Sequence, residues 1–214
     1  LAGQRGAAGG AAQDKPPAAH VACRPEQIAD PLEIDLSGFE AIVVSPGVPL
    51  NTHPLVPRAA AAGVPIIGDI ELFAQARADL PPHKVVGITG TNGKTTTTEL
   101  VARILHEAGL GGTPCGNYGA PLSEIVLSPD VPAAIALELS SFQLETIEDL
   151  RPRVSIWLNF APDHMDRYPT VQAYREAKLR IFQNLKPDDV AVIPFGGELP
   201  APTTKPITFS TSDP

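Results

Sequence analysis

Short apolar runs bounded by Pro, Gly, Ser or Asp alternate along the chain with stretches whose apolar residues recur every three or four positions. Ala41-Ile42-Val43-Val44, halted by Ser45-Pro46-Gly47, is short and β-branched, which predicts a buried parallel strand. Pro57 to Ala62 predicts a short helix and Val64–Ile67 a second strand. Asp69-Ile70-Glu71-Leu72-Phe73-Ala74 reads as a helix capped by Asp69. After Pro82 the strand Val85-Val86-Gly87-Ile88-Thr89 leads through a Gly-rich turn into a helix from about Lys94 to Ala108. Leu100, Val101, Ile104, Leu105 and Ala108 are expected to form its apolar stripe, with Gly109 at the C-terminal cap. Strands at Ala133–Leu137 and Val154–Leu158, a helix over Thr170–Leu185, a strand at Val190–Pro194 and a last short one at Ile207-Thr208-Phe209 follow. Almost wholly apolar strands alternating with helices predict an α/β fold whose parallel sheet is covered on both faces. Residues 1–35, rich in Ala, Gly and Pro, read as loop with one short strand at His20-Val21-Ala22.

Composition narrows the class. The 214 residues include 24 Pro and 18 Gly, yet 43% are hydrophobic, enough for a buried core and against wholesale disorder. No run of 18 uncharged apolar residues exists, so no membrane insertion is expected. The start, Leu1-Ala2-Gly3-Gln4-Arg5-Gly6, has neither Met nor a charged-then-apolar signal pattern, and reads as a cut rather than a beginning. Sixteen basic residues against 24 acidic give a net charge of −8 without blocks of like charge, which argues against long nucleic acid as a partner. A small anionic ligand held locally remains compatible. Cys23 and Cys115 are far apart and outside any CxxC spacing, which points to a reducing, cytoplasmic location.

Four segments carry candidate chemistry. In Gly87-Ile88-Thr89-Gly90-Thr91-Asn92-Gly93-Lys94-Thr95-Thr96, between a strand and a helix, glycines let backbone amides approach phosphate oxygens. Lys94 adds positive charge, and the Thr95 hydroxyl can ligate Mg²⁺. The usual P-loop has Gly five positions before Gly93, where Ile88 stands, so the loop is a variant. The competing reading is a Gly-rich turn ending in a capped helix. Ala133-Ala134-Ile135-Ala136-Leu137-Glu138 ends in a carboxylate placed to reach a magnesium ion, although strands often end in a surface acid. Asn159-Phe160-Ala161-Pro162-Asp163-His164-Met165-Asp166-Arg167-Tyr168 follows a strand, where His164 could ligate metal or position phosphate, or be an ordinary loop histidine. Lys178 falls on the stripe of Val171, Tyr174, Ile181, Phe182 and Leu185, so it either snorkels to the edge or works in a shielded site.

These segments, in this order, resemble the Mur ligase family, the ATP-dependent amide-forming enzymes of peptidoglycan synthesis. Thr89–Thr95 matches the family's TGTNGKT loop, which accounts for the unusual spacing. Ser45-Pro46-Gly47-Val48-Pro49, Gly68–Phe73, Gly116-Asn117-Tyr118-Gly119, Glu138–Glu145, Asp163–Tyr168 and Ala177–Ile181 resemble the branch that adds D-glutamate, over about residues 39–194. The resemblance implies that Gly90, Thr91, Asn92, Gly93, Lys94, Thr95 and Thr96 bind ATP, and that Lys94, His164 and Lys178 are catalytic. It implies two Mg²⁺ ions held by Thr95, Glu138, His164 and Lys178, the last as a carbamate formed with CO₂. Ser45, Pro46 and Gly47 would contact a UDP diphosphate, and Asn117, Ser140 and Ser141 the muramoyl-alanine end. The substrates implied are UDP-N-acetylmuramoyl-L-alanine and D-glutamate, joined through an acyl phosphate by a monomeric parent enzyme.

The fold implied is the remnant of a Rossmann-like UDP-binding domain over residues 1–72, then a P-loop-type central ATPase domain with a parallel sheet over 73–214. The first strand and loop of the UDP domain, the end of the central domain and a third, amino-acid-binding domain are expected to lie outside these residues. The 214 residues alone are then expected to make little or no amide. The alternatives are another Mur ligase or a folylpolyglutamate synthase-like ligase, and a P-loop nucleotide-binding module without turnover.

Overall fold

The computed structural model describes residues 29–197, 204 and 206–210, so the strand expected at His20–Ala22 lies outside the described residues. β1 (Ile42–Val44) and β2 (Ile66–Gly68) pair in parallel, Ile42 opposite Ile66, and α1 (Leu55–Ala62) connects them. Leu36, Val44 and Leu55 form the small core of this unit. α2 (Asp69–Ala76) follows directly and carries Ile70 and Phe73 into a second, much larger core.

That larger core belongs to a six-stranded sheet of β3 (Lys84–Thr89), β4 (Gly111–Gly116), β5 (Ala134–Glu138), β6 (Val154–Trp157), β7 (Val190–Pro194) and β8 (Ile207–Phe209). Their spatial order is β4-β5-β3-β6-β7-β8 and every pairing is parallel. Helices α3 (Lys94–Glu107), α4 (Leu122–Leu127), α5 (Ser141–Leu144) and α6 (Val171–Leu179) join the strands. From central β3 the chain builds one flank, β4 and β5, and then crosses to build the other. A reversal of this kind opens a crevice at the carboxyl ends of the strands around it, where α/β folds bind ligands.

Alternation along the strands sorts the side chains into two layers. Val86 and Ile88 of β3 and Ala136 of β5 meet Ala102 of α3 on one face. Val85, Ile135 and Leu137 face the other way, against Ile70, Phe73, Ile125 and Ile181. The expected α/β sheet covered on both sides is therefore present.

Several local expectations need correction. The residue capping α2 is Gly68 in extended conformation, and no side chain caps the helix. Asp69 is instead its first helical residue, where a carboxylate still meets the positive helix end. α3 is rotated relative to the expected stripe: Val101 and Leu105 of that stripe pack against the sheet, but its other members do not. Thr98 and Ala102 are its buried residues, whereas Leu100 and Ile104 are 59% and 58% exposed. The reason is the close approach of β4: a Cβ on Gly112 would lie 2.2 Å from the Ala102 carbonyl oxygen, so only small side chains fit between helix and sheet.

The end of α3 is as expected in kind. Ala108 is the cap and Gly109 follows with φ +74°, its amide bonding His106 and that of Leu110 bonding Leu105. α6 stops at Leu179 and continues as one 3₁₀ turn, Arg180–Phe182, rather than as α-helix to Leu185. Thr170 caps it by accepting the Ala173 amide at 3.0 Å. Of the expected stripe only Val171 is exposed; Tyr174, Lys178, Ile181, Phe182 and Leu185 are buried.

Candidate active site

β3 delivers the Gly-rich loop to the crevice and α3 begins at Lys94, with Gly93 at the cap position and no side chain capping the helix. First-turn amides left without a capping side chain are free to meet an anion. Lys94 Nζ folds back to donate to the carbonyls of Gly90 at 3.1 Å and Thr91 at 2.9 Å. Thr95 and Thr96, in the first turn of the helix, are exposed.

The loop is fastened to the segment after β6. Asn159 Oδ1 accepts the amides of Thr91 at 3.1 Å and Asn92 at 2.9 Å, and Asn159 Nδ2 donates to the Asn92 carbonyl at 2.9 Å. Thr91 Oγ1 donates to the Ala161 carbonyl and accepts the Ala161 amide, both at 3.1 Å. It also lies 3.4 Å from the Tyr174 hydroxyl. Asn159 and Tyr174 were not among the candidate site residues. The available signal for Asn159 was its position directly after an apolar strand, the same signal that singled out Glu138.

α6 brings Lys178 into the same place. It is 2% exposed, donates from Nζ to Gly90 O at 2.9 Å, and lies 4.8 Å from the centre of the Tyr174 ring. The Gly90 carbonyl thus receives both lysines. Burial foremost, and then the positive field of Lys94, push Lys178 down to about 8, against an opposing pull from Asp163. An amine so near neutrality keeps an available lone pair and can act as a nucleophile.

Glu138 ends β5 opposite Ile88 and is 2% exposed. Asn117 Nδ2 donates to its Oε1 at 2.8 Å, while Oε2 is buried and has no hydrogen-bond partner among the described residues. A buried carboxylate oxygen is costly unless paired, so this atom suits a cation. Among the described residues no group of three His, Cys, Asp or Glu side chains is gathered to hold a metal. Glu138 and the Thr95 hydroxyl are nonetheless the hard oxygen donors that suit Mg²⁺, which ordinarily keeps water and phosphate oxygens as its remaining ligands.

His164 sits in an exposed turn with φ +54°, its ring 5.0 Å from that of Phe142 and edge-on to Tyr174 at 5.8 Å. Tyr174 therefore touches both His164 and Lys178. Ser45, Pro46 and Gly47 form a turn after β1, closed by the Val48 amide on the Ser45 carbonyl at 3.0 Å. Arg167 reaches that turn: it donates to Pro46 O at 3.3 Å, pairs with Glu145 at 3.2 Å, and lies 4.2 Å over the Phe142 ring. Between Ser45, Asp69, Gln143 and Arg167 remains a cavity of about 10 Å³, room for one water. The Ser140 hydroxyl is engaged in a capping box with Gln143 at the start of α5, and Ser141 is buried. Direct bonds thus join the loop, Lys94 and Lys178, and Tyr174 links His164 to them. Glu138 with Asn117 stands at the neighbouring strand end, and Arg167 ties in the Ser45–Gly47 turn.

Comparison with known proteins bears on this arrangement. The chain is 54% identical over 171 residues to UDP-N-acetylmuramoylalanine–D-glutamate ligase of Novosphingobium aromaticivorans, covering 80% of this chain and 38% of the relative. It is 51% identical over 166 residues to the protein of the same name from Sphingopyxis alaskensis, covering 78% and 38%. The chain thus spans about two-fifths of the length of these curated relatives. Two solved structures share the fold. The MurF ligase of Thermotoga maritima in complex with ADP gives a TM-score of 0.52 at 21% identity, over 86% of this chain and 50% of that one. A UDP-N-acetylmuramate:L-alanyl-gamma-D-glutamyl-meso-diaminopimelate ligase of Neisseria meningitides gives 0.52 at 18%, over 80% and 58%. The family described as Mur ligase middle domain matches residues 88–208, which run from the end of β3 through the phosphate-loop variant to β8. Since that match takes in more than half of the 214 residues, the chain belongs to the Mur ligase family.

Proposed function

We propose that the chain is the nucleotide-binding part of a cytoplasmic, ATP-dependent ligase that adds D-glutamate to UDP-N-acetylmuramoyl-L-alanine in peptidoglycan precursor synthesis. The observation that carries the reading is the convergence of Lys94 and Lys178 on Gly90 O beside an open loop at a helix start. The choice of amino acid rests on the names of the two relatives, 54% and 51% identical. In this reading residues 1–72 belong to a UDP-substrate domain and 73–214 to the ATPase domain of a monomeric enzyme.

The roles are those the family resemblance implies, and the meeting of Lys94 and Lys178 on Gly90 O supports the nucleotide part of them. Gly90, Thr91, Asn92, Gly93, Thr95 and Thr96 receive the ATP phosphates, and Lys94 swings from its loop carbonyls onto them. Thr95, Glu138, His164 and carbamylated Lys178 would hold two Mg²⁺ ions, which supply charge neutralisation at the transferring phosphoryl group. Ser45, Pro46 and Gly47 take the UDP diphosphate; Asn117, Ser140 and Ser141 face the acyl end of the same substrate. Phosphoryl transfer to that carboxylate gives an acyl phosphate, which the D-glutamate amine attacks with loss of phosphate. Holding the partners together accounts for much of the acceleration in such sites.

The test is a chimera. The matching 171-residue segment of the Novosphingobium aromaticivorans relative is replaced by that of this chain, and amide product is followed by mass spectrometry with D-glutamate, L-alanine or diaminopimelate offered. Product with D-glutamate is expected; because the relative supplies the amino-acid-binding domain, it reports whether this segment supports the ligation. A properly folded chimera that binds Mg-ATP but makes no D-glutamyl product would overturn the assignment.

A further inference from the structure

We propose that Asn159 is a positioning residue for nucleotide binding: its carboxamide holds the Gly-rich loop open in the shape a phosphate chain requires. The inference rests on reading Gly90–Thr96 as the phosphate loop and assigns a role to a residue that reading leaves unused.

The geometry is specific. One carboxamide makes three bonds to two consecutive residues, accepting from the Thr91 and Asn92 amides and donating to the Asn92 carbonyl. The partners fix which end of the amide is oxygen, because two N–H groups face one atom and a C=O faces the other. Only Asn offers this acceptor and donor pair at such short reach. Asp accepts but cannot donate, Ser has one oxygen for both duties, and Gln needs a further methylene. The backbone of Asn159 adds a fourth tie, its carbonyl taking the Thr91 amide at 3.3 Å.

The tie acts on the part of the loop that lies outside regular secondary structure. Thr91 and Asn92 bridge β3 and α3, and neither belongs to a strand or helix. A loop bound only at its ends loses conformational freedom when a phosphate chain orders it, and that loss is subtracted from affinity. Asn159 fixes these two residues beforehand while occupying none of the α3 first-turn amides. Its anchor is firm, since only Leu158 separates it from the end of β6, which pairs with both β3 and β7. Asn159 itself is exposed, so the bonds contribute to loop shape rather than to the core.

The experiment compares the 214-residue chain with Asn159→Ala and Asn159→Asp, measuring amide hydrogen exchange of residues 91 and 92, Mg-ADP affinity by calorimetry, and urea midpoint. Asn159→Ala should raise exchange at both amides at least tenfold and weaken Mg-ADP about tenfold, with the urea midpoint nearly unmoved. Asn159→Asp should keep most of the protection, since a carboxylate still accepts both amides, yet weaken Mg-ADP at least as much through repulsion of the phosphates. A purely structural residue would instead lower the midpoint and leave affinity in the folded fraction unchanged, which overturns the proposal. Unaltered exchange in Asn159→Ala, or affinity within twofold of the wild type, overturns it equally. Failure of the wild type itself to bind Mg-ADP would be a different result: it removes the nucleotide reading of the loop, and this role with it.

Discussion

The depressed pKa of Lys178 predicts how the stability of the protein changes with pH. An ordinary lysine titrates near 10.5, whereas Lys178 is pushed down to about 8, first by burial and then by Lys94. The folded state therefore releases the Lys178 proton about two and a half units earlier than the unfolded chain does. Between those two values the unfolded state binds more protons, so stability rises with pH. Below about 8 both states are protonated and the full penalty of a buried ammonium is present; above about 10.5 both are neutral and it has vanished. At roughly 1.4 kcal/mol per unit, the penalty at pH 7 is about 3 kcal/mol.

Lys178→Met removes the charge while keeping an unbranched apolar stem, so it isolates this contribution. Urea denaturation of both proteins in CO₂-free buffers from pH 7 to 10.5 gives the difference between them, in which every other titrating group cancels to first order. That difference should change by about 3 kcal/mol across the window, the variant being relatively more stable at pH 7. Parallel curves, with a constant difference from pH 7 to 10.5, would refute the reasoning and mean that Lys178 is solvated in the native protein.

Other perturbations test other parts of the argument. Lys94→Ala should weaken Mg-ATP by roughly 2–5 kcal/mol in calorimetry without changing the circular dichroism spectrum, because it removes the cation that meets the phosphates. Gly112→Ala should lower the urea midpoint by an amount worth about 2–4 kcal/mol, since its Cβ would sit 2.2 Å from Ala102 O and its φ is +72°. Glu71 is fully buried and accepts the amides of Glu148 at 2.7 Å and Asp149 at 3.0 Å, so Glu71→Ala should cost about 2–4 kcal/mol by the same assay. Leu100→Glu, on the outward face of α3, should shift stability by less than about 0.5 kcal/mol.

How far the sequence reveals the fold depends on what each element packs against. β3 and β5 are covered on both faces, and that is why Val85–Thr89 and Ala134–Leu137 read as continuous apolar runs. β4 reads Gly-Gly-Thr-Pro-Cys-Gly and carries no strand signal. It lies at the sheet edge, where Pro is tolerated, and passes so close to α3 that Gly is required. α4 and α5, of six and four residues, are too short to show a helical period. In α3 the inward face was half legible: Val101 and Leu105 pack inward as expected, but the buried Thr98 and Ala102 were set by the small clearance over β4. The site divides in the same way. The Gly-rich loop is legible since its function constrains neighbouring positions. Asn159 and Arg167 act across 67 and 121 positions of sequence, and nothing local announces such partners.

Lys178 shows how a structure decides a question that a sequence leaves open. On the stripe of α6 it could have carried its ammonium along the apolar surface to water, as long cationic side chains commonly do. Instead it is 2% exposed and its Nζ ends on Gly90 O, which Lys94 also occupies. Among the described residues it forms no ion pair; a carbonyl and the face of Tyr174 are what it meets. One carbonyl shared between two cations does not compensate for removing an ammonium from water. The arrangement is therefore least favourable in the cationic form, and neutralising Lys178 relieves it. An anion at that position would also attract Lys94 rather than repel it. A local rule broken inside an otherwise consistent fold is where a functional role is to be sought, and the pH dependence of the Lys178→Met pair tests whether the rule is broken here.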